Sequence, residues 1–175
     1  MLGDAPPDYL RHLSDNNSIS SKGALELIWH YTVGSSFTSI IEDGLIRPAT
    51  GYIPVGERPI VWFSTEQFWE PTVSKGLRLE DGTIEDLGMT RLLELNFPLF
   101  RIGVDPEVAP YTWSDLKSLS GMSSDVARSL KSTAKARGAN PSRWRGTFDP
   151  VSSDQWKTVE YLKDGNWVTH MIRAS

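Results

Sequence analysis

Apolar residues in this chain come in short, aromatic-rich runs of strand length, separated by Gly- and Pro-containing loops and by a few segments with helical spacing. No feature constrains the fold more. Such runs fall well short of the ~20 apolar residues that span a bilayer, and short strands gain stability only by pairing into a sheet with a buried face. Strand composition is found at residues 25–31, 45–47, 60–64, 90–97, 144–148, 157–163 and 167–172. Between these runs, Ser35 or Ser36 can cap a short helix through Ile41, and Gly44 stands where a left-handed C-terminal residue is needed. Residues 112–119 and 123–136 also read as helices, the second capped by Ser123 or Ser124 and ended by Gly138. Residues 77–88 alternate charges and glycines, as a loop or hairpin does, and Asp164, Gly165 and Asn166 form a tight-turn signal before the final strand. The mixed order predicts an α+β fold.

A chain of 175 residues fits one compact domain. Residues 1–24 read as an irregular lead-in with at most one short helix, around residues 8–13, and residues 25–175 as a single domain. No cysteine is present, which excludes disulfides, thiolate metal sites and a Cys nucleophile. No His and carboxylate spacing suggests a metal site, so none is expected. The net charge of −4 argues against a protein that holds nucleic acid mainly through its phosphates. A local basic cluster nevertheless exists in Lys131, Lys135, Arg137, Arg143 and Arg145. The first residues carry neither a basic nor an apolar leader segment, so a cytoplasmic protein, or an effector delivered into a target cell, is expected, with no membrane partner.

Three segments stand out together. Trp29, His30, Tyr31 and Thr32 precede a short helix and then Asp43, Gly44 and Leu45. Val61, Trp62, Phe63, Ser64 and Thr65 end a strand after a loop, and Val159, Glu160 and Tyr161 lie in a strand late in the chain. In this order they resemble the ADP-ribosyltransferase superfamily of the diphtheria-toxin and poly(ADP-ribose) polymerase type. The resemblance covers roughly residues 26–75 and 141–170, about half of the chain. It implies split, antiparallel-rich sheets around an NAD cleft with flanking helices, and transfer of ADP-ribose from NAD to a macromolecular acceptor, protein or nucleic acid.

The same resemblance implies the roles. His30 would hydrogen-bond a ribose hydroxyl of the adenosine half, and the backbone at Tyr31 or Thr32 would clasp the nicotinamide carboxamide. Tyr31 stands where the polymerase branch has Gly. Trp62 would stack near nicotinamide, and Ser64 or Thr65 would offer a hydroxyl. Alternation sends Trp62 and Phe63 to opposite faces, so at most one of the pair is expected in the cleft. Trp69, or else Phe68, would complete the stack. Glu160 would face the positive charge that develops on the ribose as nicotinamide leaves, and stabilise it electrostatically. Among the cations Arg47, Arg91, Arg143 and Arg145, Arg47 is the choice for the pyrophosphate. Glu57, Glu66 and Glu70 could orient an acceptor nucleophile. On the same fold the alternatives are an RNA 2′-phosphotransferase, an NAD glycohydrolase, and an inactive module that binds NAD, ADP-ribose or a protein partner.

Overall fold

A computed structural model describes residues 26–48 and 53–170. The expected helix around residues 8–13, the rest of the lead-in, residues 49–52 of the loop and the end of the last expected strand lie outside the described residues. In chain order the elements are β1 (Ile28–Val33), α1 (Gly34–Asp43), β2 (Leu45–Ile46), β3 (Val61–Ser64), β4 (Lys75–Arg78), β5 (Ile84–Leu87), α2 (Met89–Glu94) and β6 (Leu99–Val104). They continue as β7 (Tyr111–Thr112), α3 (Trp113–Leu119), α4 (Ser124–Ala136), β8 (Trp144–Thr147), β9 (Val151–Ser152), β10 (Trp156–Lys163) and β11 (Asn166–Thr169). The fold is α+β, with antiparallel pairing throughout.

One sheet of seven strands runs in the order β11-β10-β6-β1-β3-β8-β7, flanked by two-stranded ribbons β2-β9 and β4-β5. Its two halves are joined unequally. β1 pairs with β6 along its whole length, from Ile28 opposite Val104 to Val33 opposite Leu99. With β3 it has one registered pair, Trp29 opposite Ser64. Beyond that pair the two strands part, leaving a seam through the middle of the sheet.

Alternation gives the sheet two apolar faces. Ile28, Ile102, Val104, Val159, Val61 and Phe63 pack on one face with Phe37 of α1. Trp29, Tyr31, Val33 and Leu99 pack on the other with Trp69, Leu87 and Leu92, which belong to the β4-β5 ribbon and its surroundings. α1 ends as the sequence predicts, with Gly44 at φ 63°, but it begins on Val33 with no side-chain cap rather than on Ser35 or Ser36. Gly34 instead donates its backbone N–H to Pro98 at 3.1 Å, which secures the first turn from outside the helix. Thr112 caps α3 in a reciprocal box with Asp115, and Ser123 caps α4.

The strand expected at residues 90–97 is a helix. Met89–Glu94 forms α2, and the strand follows at Leu99–Val104 after Asn96 turns left-handed at φ 58°. Arg91, Leu92, Leu93 and Glu94 are strong helix formers, and only Leu92 of this segment is fully buried, so a single apolar stripe satisfies it.

Candidate functional site

The seam between β1 and β3 is occupied by His30. Its Nδ1 lies 2.9 Å from the Trp62 carbonyl, across the gap where the strands no longer pair. A carbonyl only accepts, so Nδ1 carries the proton and donates, leaving Nε2 of the neutral ring as an acceptor. Burial lowers the proton affinity of His30 below that of an ordinary histidine, against a smaller raising effect of the Trp62 carbonyl. The ring meets Phe63 edge-on, with centroids 5.7 Å apart.

Where the strands part, a cavity of about 280 Å³ opens. Trp29, His30 and Tyr31 of β1 line one wall and Trp62, Phe63 and Ser64 of β3 the other. Glu70, Thr72 and Val73 from the loop after β3, Leu130 and Thr133 of α4, and Trp144 of β8 close it. Trp62 and Phe63 both border the space, where alternation predicts one of the pair at most. The Trp62 ring is held by edge contacts with Trp144 at 5.9 Å, and Trp144 in turn abuts Trp113 at 5.1 Å. Trp144 is buried, yet its indole N–H has no hydrogen-bond partner among the described residues. A buried donor without an acceptor costs about 1–3 kcal/mol.

The polar group of the cavity is Glu70. It is only 5% exposed. Ser64 Oγ donates to its Oε2 at 2.8 Å, and Thr72 donates to Oε1 through both Oγ1, at 2.7 Å, and its backbone N–H, at 3.2 Å. All three donors are uncharged.

Glu160 stands elsewhere. The register sets Tyr31 opposite Arg101 and Arg101 opposite Glu160, so the three form a row across β1, β6 and β10 on one face. His30 belongs to the next row, with Ile102 and Val159. Strands lie about 4.8 Å apart, which puts Glu160 roughly 10 Å from Tyr31 with Arg101 between them. Arg101 binds one carboxylate oxygen of Glu160 through Nε at 2.7 Å and Nη2 at 2.5 Å. The guanidinium is sandwiched between Trp29, at 3.7 Å, and Trp167, at 4.6 Å, and donates to the Gln67 carbonyl as well. The other oxygen of Glu160 has only a long contact, 3.4 Å, from Thr158 Oγ1. Tyr31 donates to the Glu66 carbonyl at 2.5 Å, and its own acidity is weakened, first by burial and then by nearby Glu66 and Glu70, with Arg101 opposing.

The structure thus brings His30, Tyr31, Trp62, Phe63, Ser64 and Glu70 to one cavity and leaves the other predicted residues outside it. Thr32 is buried within β1. Thr65 donates its backbone N–H to Arg143 at 2.9 Å. Trp69, expected to complete the stack, is drawn into the core by Tyr31 and Trp167, the latter parallel to it at 6.4 Å. Phe68, its alternative, is exposed. Trp144 and Trp29 supply the further aromatic walls instead. Arg47 is exposed beyond β2 and pairs with Asp43 at 3.2 Å, one helical turn back. Arg91 and Arg143 are likewise engaged, with Glu85 and Glu94 in one case and Glu66 in the other. Glu57 serves the N–H of Ser123.

Trp29, Arg101 and Trp144 are the residues whose place the sequence does not announce, while Glu70, expected to orient an acceptor nucleophile, lines the cavity itself. The pattern of β3 carried one signal: Ser64 and Glu70 stand six residues apart on either side of a turn, a hydroxyl and a carboxylate within reach of each other. Among the described residues, no group of three or more His, Asp or Glu is placed to hold a metal ion, and no helix is long and apolar enough to cross a membrane. No protein-family model, curated protein or solved structure matches the chain, so any reading of this cleft rests on its own residues.

Proposed function

We propose that the cleft binds NAD and that the protein transfers ADP-ribose from it to a macromolecular acceptor, releasing nicotinamide. One observation carries this reading: His30, Trp62 and Ser64, from two motifs far apart in the sequence, converge on a single aromatic-walled cavity at a parting of the sheet. At about 280 Å³ the space lies near the small end of ligand pockets, and takes a ring with its substituent rather than a whole dinucleotide. The residues fit such a ring. Aromatic walls accept its faces. His30, held neutral with Nε2 accepting, suits a ribose hydroxyl.

Glu160 is the carboxylate proposed to stabilise the charge that develops as the glycosidic bond breaks. Its ion pair with Arg101 opposes that role, because a neutralised carboxylate at roughly 10 Å exerts little field. Catalysis by Glu160 therefore requires Arg101 to yield it when substrate binds. The same ion pair favours a second reading, a module that binds NAD without turning it over.

Labelled NAD incubated with the protein and cell extract decides between them, scored separately for free nicotinamide and for label on macromolecules. Glu160→Gln removes the charge and keeps the shape, so release is expected to fall about 10²-fold with binding little changed. Binding with no release by the wild type establishes the module. Release without transfer establishes a glycohydrolase. Equal release by mutant and wild type moves the chemistry to another carboxylate, with Glu70 the first to test.

A further inference from the structure

A buried carboxylate whose hydrogen-bond donors are all neutral has no cation of the protein bonded to it. Glu70 is in that position, with Ser64 and Thr72 as donors, in a cavity walled by Trp29, Trp62 and Trp144. The other carboxylates nearby are compensated: Glu160 by Arg101 at 2.5 Å and Glu66 by Arg143 at 3.6 Å. The faces of aromatic rings add negative electrostatic potential to that of the carboxylate. Isolated buried charge is costly, and a positive ligand removes the cost while a neutral ligand of the same shape leaves it standing.

We propose that Glu70 is a specificity residue that makes this cavity select a flat, positively charged ring over its neutral counterpart. This rests on the NAD reading to the extent that oxidised NAD carries such a ring, a pyridinium with a carboxamide, whereas the ring of reduced NAD is uncharged. Glu70 meets the charge from the loop after β3 that closes the cavity.

Calorimetric titration of the full chain with two matched pairs tests this. The pairs are oxidised against reduced NAD, and 1-methylnicotinamide cation against neutral nicotinamide. In the wild type each cation is expected to bind at least about tenfold tighter than its neutral partner, because charge-assisted contacts are stronger than neutral ones. Glu70→Gln, which keeps acceptor and donor atoms for Ser64 and Thr72, is expected to reduce the preference to about twofold by weakening the cations alone. Binding of 1-methylnicotinamide without binding of NAD upholds the charge selection and defeats the NAD reading. Equal binding of both redox forms upholds the NAD reading and defeats the selection. If neither cation binds the wild type, both fail. A preference that survives Glu70→Gln transfers the selection to the aromatic walls and overturns the role of Glu70. The wild-type comparison of the two pairs stands even where the variant does not fold.

Discussion

His30 couples the stability of the protein to pH through its burial in the seam. The folded protein takes up a proton there less readily than the ordinary histidine value of 6.5, which the unfolded chain retains. Between the two values the unfolded chain binds more protons, so stability falls as pH falls. The contribution of His30 is complete above about pH 7 and is lost as pH drops through 6.5 and below. A His30→Gln variant, which keeps a hydrogen-bonding side chain but does not titrate, should show a flatter stability profile across this window by urea denaturation. Parallel profiles for the two proteins would falsify the assignment. Arg101 carries a different constraint at the same scale. Its side chain is 10% exposed and that of Glu160 is 16% exposed, and each would be left as a buried, unpaired charge by loss of the other.

At the scale of elements, Gly103 of β6 shows why a central strand takes a glycine. A Cβ there would stand 2.8 Å from the Trp29 ring and 3.0 Å from Thr158, on the strands to either side. The gap lets the indole lie across the sheet, where Arg101 covers it and the cavity uses it as a wall. Gly103→Ala should destabilise the protein by about 1–3 kcal/mol, the usual cost of overpacking, and should weaken ligand binding through the displaced Trp29. A thermal melt and a titration on the same variant check both, and an unchanged melting temperature would remove the close approach from the argument. β6 is also where sequence reasoning failed furthest. Pro98 and Asn96 punctuate the chain just before it, and a strand assigned one element too early, at residues 90–97, took up the signal that α2 satisfies with one buried leucine. β1, β3, β8, β10, α3 and α4 were legible because period and caps agreed there. His30 and Trp62 were legible too, since each sits within a strand with a distinctive neighbourhood. The pairing of Glu160 with Arg101 was not, because it depends on β6 lying between β10 and β1, and register between distant strands leaves no local trace.

For the molecule as a whole, the decisive feature is the seam. The two groups of strands meet along β1 and β3 in a single registered pair, Trp29 with Ser64, beside the His30 bridge to Trp62. A ligand that fills the cavity touches both groups and so adds to their cohesion. At a ligand concentration a hundredfold above Kd the expected stabilisation is about 2.7 kcal/mol. For a chain of this size that raises the melting temperature by roughly 5–10 °C. Differential scanning calorimetry with increasing oxidised NAD measures it, and a melting temperature indifferent to NAD would count against binding at the seam. The order of strands has another consequence. β1, β6 and β10 lie on one side and β3 and β8 on the other, so the chain passes back and forth and neither side is a continuous stretch of sequence. During synthesis β6 has β1 on one edge while its other edge waits, unpaired, until the strand bearing Glu160 leaves the ribosome. An open strand edge is a template for any other extended chain, and the newborn protein carries one at its centre for as long as translation of residues 105 to 163 takes.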